Sequence, residues 1–132
     1  MLTEQRDINA PASAAWQFLV DTQEWPSWGP SVCAVDAPAR CIGPGVRGRV
    51  QTAAGLWLPF QITDWQPERY WAWRIGGIPA TGHGVEPIGP QRCRVRFLIP
   101  PWAAFYRPVC RQALRRLAAL AEGRGGPGTT DP

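Results

Sequence analysis

The chain has 132 residues, of which 45% are hydrophobic and 18% charged, and its net charge is +4 at pH 7. This balance excludes a disordered protein, and no apolar run approaches the length of a membrane span. The length suits one domain with a single core, and no block of like charges marks an interaction tail.

The N-terminal quarter predicts a strand followed by two short helices. Residues 2–9 alternate in polarity as an edge strand does. Pro11 opens a helix over residues 11–20, where its missing N–H costs nothing. The segment 25–30 carries two tryptophans and ends in Gly-Pro, which is typical of a short turn. Together these residues predict a lid segment.

The middle of the chain predicts a six-stranded antiparallel meander. Glycine- and proline-rich turn signals recur roughly every ten residues. Alternation places Trp71, Trp73, Val95 and Phe97 on an apolar face and the intervening arginines on the opposite face, toward water. With the first strand the sheet has seven strands. The predicted strands of the meander are 32–41, 45–53, 57–65, 69–76, 79–87 and 91–99.

A long amphipathic helix is the last predicted element. Apolar residues recur at steps of three and four between Tyr106 and Ala121, and arginines occupy the other side. Pro108 either begins the regular part of this helix or kinks it. Residues 123–132 hold mainly Gly, Pro and Thr, with nothing to bury, and are predicted to be a dispensable, disordered tail. The predicted domain is therefore 1–122.

Several of these segments resemble the SRPBCC superfamily, the START-like, polyketide cyclase/dehydratase group. Residues 8–11 (Ile-Asn-Ala-Pro) and the Trp-x-x-Trp-x-Pro element at 25–30 resemble its opening. Residues 59–63 and 83–87 resemble two later phrases of the family. The resemblance covers residues 2–122 and implies an α+β helix-grip fold. In that fold a seven-stranded antiparallel sheet wraps around a long C-terminal helix, with two short helices after the first strand and a cavity between sheet and helix.

His83 is the only histidine in the chain, and histidine is the side chain that changes charge most readily near neutral pH. Strand parity with Val85 points His83 inward. The resemblance makes it a candidate general acid or base, or a hydrogen-bonding partner of a ligand carbonyl. The alternative is a structural histidine satisfied by a neighbouring strand or by solvent. The residues favour that alternative, because acid–base catalysis usually needs an orienting partner as well.

The eight tryptophans are the second unusual feature. Aromatic walls suit a flat apolar ligand, but the same side chains can also fill a small core. Both interpretations stay open for Trp71 and Trp73, whereas simple packing is preferred for Trp16, Trp57 and Trp65. On the first interpretation, the candidate ligand-binding residues are Trp28, Phe60, Trp71, Trp73, His83, Val85, Phe97 and Tyr106.

Three function classes follow from the resemblance. The first is a protein that binds a small hydrophobic molecule, aromatic or polyketide-like, between the sheet and the last helix. The second is a cyclase- or dehydratase-type enzyme in which His83 moves a proton, with Tyr106 or a bound water. The third is a partner-protein module like the ubiquinone-chaperone or chaperone-activator relatives of the fold. One histidine favours binding without deciding it, and neither the ligand nor the oligomeric state is predicted.

The remaining chemistry-bearing residues predict no metal or cofactor site. Cys33, Cys41, Cys93 and Cys110 lack paired spacing, so four free thiols are expected. No nucleic-acid partner is expected, because the arginines and the best-assigned tryptophans fall on opposite faces of the same strands. Charged residues near the N-terminus interrupt any signal-peptide-like run, so a cytoplasmic location is expected.

Overall fold

Seven strands and four helical segments make up the computed structural model, in which residues 1–125 are described. Within this range no helix is long and apolar enough to cross a membrane. The elements are β1 (Leu2–Ile8), α1 (Ala12–Val20), α2 (Trp25–Trp28), β2 (Val32–Asp36), β3 (Arg47–Thr52), β4 (Trp57–Gln66), β5 (Tyr70–Ile75), β6 (Ile78–Gly89), β7 (Arg92–Ile99), a 3-10 helix (Pro101–Tyr106) and α3 (Arg107–Gly125).

The strands form one antiparallel sheet in the order β1-β7-β6-β5-β4-β3-β2. Each of the strands β2 to β6 pairs with the next strand in the chain, and β1 joins the far edge beside β7. The long helix α3 contacts β1, β7, α1 and α2 on the concave side of the sheet. The predicted helix-grip architecture is therefore confirmed.

Most element bounds differ from the predicted ones by one or two residues, and the end of β2 and the start of α3 have clear local reasons. Strand β2 ends at Asp36, not at residue 41, since Pro38 has no N–H to continue a ladder. Helix α3 begins at Arg107 with Pro108 in its first turn, so the proline starts the helix and does not kink it. Because α3 continues to Gly125, the first three residues of the predicted tail are helical. The remaining tail residues, 126–132, lie outside the described part.

Side chains alternate between the buried and the outer face of the sheet along β7, as predicted. Alternate residues of β7 from Cys93 to Ile99 are buried, and the arginines between them face outward. Arg94 donates to the carboxylate of Asp7 on β1 at 2.7 and 3.2 Å, which lowers the pKa of Asp7. The outer face of the β1–β7 pair is thus held by polar contacts, while the inner face forms the core.

Two indole hydrogen bonds fix α2 against α1. The last carbonyls of a helix have no partner within it, and here Trp25 Nε1 donates to the Leu19 carbonyl at 2.9 Å. Trp28 Nε1 donates to the Phe18 carbonyl at 3.0 Å. Both rings are buried. The predicted lid segment is therefore held over the sheet with its two tryptophans directed inward.

Candidate functional site

A small cavity lies between the sheet, α2 and α3. Its volume is about 50 Å³, enough for a few water molecules but not for a polyketide-sized ligand. The indoles of Trp28, Trp71 and Trp73 form much of its wall. The tryptophans therefore fill most of the interior, as the second of the two interpretations predicted.

An apolar groove of about 290 Å³ opens beside this cavity, between the β5–β6 turn and the 3-10 helix. Trp73, Thr81 and Tyr106 line both spaces, so the groove and the cavity adjoin at these three side chains. The sequence interpretation missed the groove, although two aromatic residues just after Pro100-Pro101 were a signal for it. Its other lining residues are Ile75, Ile78, Ala80, Pro100, Trp102, Ala103 and Phe105.

The structure brings six of the eight predicted ligand-binding residues to the cavity: Trp28, Trp71, Trp73, His83, Phe97 and Tyr106. Phe60 and Val85 line neither space. Phe60 packs against Trp25 and Trp73, with ring centroids 5.7 and 5.6 Å apart, and Val85 lies opposite Val95 in the core. Strand parity placed both on the correct face, but parity carries no information on distance from the opening.

Trp25 lies at the centre of the aromatic core. Its ring stacks on Trp71 at 5.6 Å with an interplanar angle of 14° and meets Trp73 edge-on at 5.3 Å. Trp71 is 1% exposed, and its Nε1 has no hydrogen-bond partner in the described structure. Replacing Trp71 would therefore remove core packing before it changed any ligand contact.

The other tryptophans lie outside this cluster. Trp16 and Trp65 pack edge-to-face at 5.4 Å, in agreement with the packing prediction. Trp57 is exposed, and the Arg49 guanidinium lies 5.0 Å from its ring centroid. It is a surface cation–π contact and not a core residue.

His83 belongs to a chain of hydrogen bonds beside the cavity. Trp73 Nε1 donates to Thr81 Oγ1 at 3.2 Å, and Thr81 Oγ1 lies 3.1 Å from His83 Nε2. His83 Nδ1 lies 3.4 Å from the Trp71 carbonyl oxygen. Since a carbonyl only accepts, Nδ1 carries the proton, and in a neutral ring Nε2 then accepts from the Thr81 hydroxyl. The neighbouring strand thereby fixes the tautomer.

The surroundings of His83 keep its ring uncharged. It is buried, and it stacks on Trp71 with centroids 3.9 Å apart. Burial lowers the pKa of His83 to about 3, because the low-dielectric core penalises the charged form. Both ring nitrogens are engaged, and at neutral pH there is no second proton to donate. This geometry supports a structural histidine more strongly than a general acid.

A pair of hydroxyl groups closes one side of the cavity. Ser31 Oγ and Tyr106 Oη are hydrogen-bonded and join the α2–β2 connection to the end of the 3-10 helix. Burial raises the pKa of Tyr106, so its hydroxyl keeps its proton. One bond between two hydroxyls leaves a second proton unused. Tyr106 lines both spaces and Ser31 lines the cavity, so the pair offers a neutral hydrogen-bond donor where groove and cavity adjoin.

A family model described as polyketide cyclase / dehydrase and lipid transport matches residues 1–122. The chain belongs to this family. None of the curated proteins compared with it matches its sequence. The match covers the whole predicted domain and agrees with the resemblance seen in the sequence.

Solved structures share the fold of this family member at low sequence identity. Zhui aromatase/cyclase from Streptomyces sp. R1128 has a TM-score of 0.73 and 16% identity, over 98% of each chain. XoxI from Bacillus cereus has a TM-score of 0.72 and 12% identity, over 95% of this chain and 97% of its own. The di-domain ARO/CYC BexL from the BE-7585A biosynthetic pathway has a TM-score of 0.68 and 18% identity, over 96% of this chain and 48% of its own. These likenesses show the fold.

Among residues 1–125 of this family member, no group of three or more His, Cys, Asp or Glu side chains is arranged to hold a metal ion. The four cysteines are free thiols. Cys93 and Cys110 are buried, and burial raises the pKa of Cys110 to about 12. Cys33 and Cys41 are exposed.

We expect this difference in exposure to decide thiol labelling. Without reductant, an alkylating reagent should modify Cys33 and Cys41 in the native protein and all four cysteines after unfolding, because a buried thiol is neither accessible nor ionised. Mass spectrometry counts the labels. Only two labels after unfolding would reveal a disulfide and contradict the prediction.

Proposed function

We propose that this protein binds a small, flat, hydrophobic molecule, aromatic or polyketide-like, in the groove between the β5–β6 turn and the 3-10 helix. The observation that carries the proposal is the shared lining of groove and cavity by Trp73, Thr81 and Tyr106. The groove volume of about 290 Å³ lies at the lower limit of small-molecule sites, which span roughly 300–1,000 Å³, so the proposed ligand is a small aromatic molecule. The proposed site includes Trp73 and Tyr106 of the predicted ligand-binding residues and otherwise lies closer to the surface than they do.

The lining supports the kind of ligand proposed. Apolar side chains surround the groove, and burial of an aromatic ring among them releases ordered water. The indole N–H of Trp73 is already used by Thr81, so Trp73 presents its ring and not a donor. The donor at the inner end is the Ser31–Tyr106 hydroxyl pair. A flat molecule with one carbonyl or phenolic oxygen at its buried end satisfies both features.

Filling the groove tests the proposal. Ala80→Phe places a ring where the ligand would lie and is expected to weaken binding about tenfold or more. Ala54→Phe in the exposed β3–β4 turn adds the same ring away from the groove and should leave affinity unchanged. Tryptophan quenching and thermal shift with naphthols and hydroxylated anthraquinones measure the affinity. Equal affinities of the two variants for these compounds, or the failure of every compound in the panel to bind, would contradict the proposed binding site.

A cyclase- or dehydratase-type enzyme is the second candidate function. Two of the structural neighbours are named as aromatase/cyclase proteins, and the polar residues Ser31, Thr81, His83 and Tyr106 line the cavity beside the groove. In such a reaction the neutral ring of His83 would accept a proton at Nε2 through the Thr81 hydroxyl, because its own proton is held at Nδ1 by the Trp71 carbonyl.

Product analysis separates the two functions. The wild-type protein and the His83→Gln and Tyr106→Phe variants are incubated with a poly-β-ketone thioester, and cyclised or dehydrated products are followed by mass spectrometry. An enzyme gives product that falls about a hundredfold in His83→Gln, the usual contribution of a positioned acid or base. Ligand binding with no turnover in the wild type supports the binding function alone.

A further inference from the structure

Exposed apolar side chains are concentrated at one end of the sheet. Because the strands are antiparallel, the starts of β1, β4 and β6 and the ends of β5 and β7 lie at the same end, here called the open end. Ile88 lies at the opposite end, in the β6–β7 turn region. Among residues 1–125, the other exposed large hydrophobic residues are at or beside the open end: Met1, Leu56, Trp57, Ile78, Trp102 and Phe105.

Three of these side chains form the rim of the groove. Ile78, Trp102 and Phe105 are 54%, 59% and 75% exposed and line the same space. Single exposed apolar residues are ordinary on a protein surface, but a cluster that rims a pocket marks an interaction site. Ile78 projects from a hairpin tip, and the two aromatic residues project from the 3-10 helix. The rim is therefore built from protruding tips and not from a flat face.

The charged residues beside the rim are mainly arginines. The connections at the open end, residues 53–56, 76–77 and 100–106, contain no charged residue of either sign. Arg74 donates to the Gly77 carbonyl at the hairpin tip, at 3.3 Å.

Two further arginines follow the 3-10 helix directly. Arg107 and Arg111 both donate to Glu4 on β1, at 2.7 and 3.1 Å. Glu4 is thereby the acidic group facing them, and these contacts lower its pKa. With Arg74 at the hairpin tip, three arginines and one glutamate lie beside the apolar rim. Their net charge is positive.

We propose that the open end docks on an anionic membrane surface. Trp102, Phe105 and Ile78 would enter the boundary between headgroups and acyl chains, where tryptophan partitions favourably. The arginines would then lie at the level of the lipid phosphates. Protruding apolar tips with flanking positive charge suit a deformable, negatively charged surface. Docking would place the mouth of the groove against the bilayer, and it does not depend on which ligand the groove holds.

Vesicle sedimentation tests the docking without any ligand. The full chain is mixed with vesicles of equal parts phosphatidylglycerol and phosphatidylcholine, or of phosphatidylcholine alone. We expect binding to the mixed vesicles that weakens at high salt, since screening removes the charge attraction. The double substitution Trp102→Ala and Phe105→Ala should lower the partition coefficient about tenfold or more. Ile88→Ala, the matched control at the opposite end, should leave it unchanged.

Each outcome decides the proposal. Equal partition of the double variant and the wild type, or loss of binding in Ile88→Ala, would overturn it. Absence of vesicle binding by the wild-type chain would also overturn it, and self-association that the double variant abolishes would then assign the rim to a second copy of this chain. Ala80→Phe, which blocks the groove but keeps the rim, should still bind vesicles. Failure of the ligand-binding function is therefore distinguishable from failure of docking.

Discussion

Trp25→Ala is expected to lower the free energy of unfolding by about 3–5 kcal/mol, the usual range for removing a buried tryptophan. The side chain is 2% exposed and contacts Trp71, Trp73 and Phe60 through its ring. Its Nε1 also donates to the Leu19 carbonyl, which would be left without that partner in the core. The substitution therefore removes ring packing and the contact that fixes α2 on α1.

Trp57→Ala is the matched control for this prediction. Trp57 is 41% exposed, and its ring contacts the Arg49 guanidinium. Its removal should therefore lower the free energy of unfolding by about 1 kcal/mol or less. Urea unfolding followed by circular dichroism measures both variants. Losses of similar size would show that the stacked cluster around Trp25 does not form as described.

The stability of the protein is expected to fall as the pH drops from neutral, because His83 is buried in its uncharged form. The pKa of His83 is about 3 in the folded state against 6.5 for the unperturbed group. Between these two pH values His83 is protonated in the unfolded chain but not in the folded chain. The contribution of His83 to the free energy of unfolding is therefore complete above pH 6.5 and decreases below it. The expected loss between pH 6.5 and pH 5 is about 2 kcal/mol.

Comparison with a His83 variant isolates the contribution of the histidine. The pKa values of Glu4 and Asp7 are lowered by their arginine partners, so these carboxylates stay charged over that pH interval. His83→Gln should flatten the dependence of the unfolding free energy on pH, whatever its effect on absolute stability. The single imidazole also gives one NMR titration, which should show no protonation down to about pH 4. An ordinary titration near pH 6.5, or an equal slope in the variant, would contradict the described burial.

The sequence by itself determined the order of the elements and the direction of most side chains. The alternation in β7 and the three- and four-residue steps of α3 are local periodicities, and each element can satisfy its period only by burying one face. Val85 and His83 share a parity, so the inward direction of His83 also followed from the chain. The resemblance to the family came from the same local segments, and the match over residues 1–122 agrees with it.

Only the tertiary structure decided how much space lies in front of those inward side chains. Parity gives the direction of a side chain but not the volume that rings from other elements already occupy, and Trp25 from α2 fills the place beside Trp71. The groove depends on residues of the 3-10 helix meeting the β5–β6 turn, about a quarter of the chain apart. The protonation of His83 likewise depends on a carbonyl from the neighbouring strand, a contact that follows from the β5–β6 register and from no periodicity.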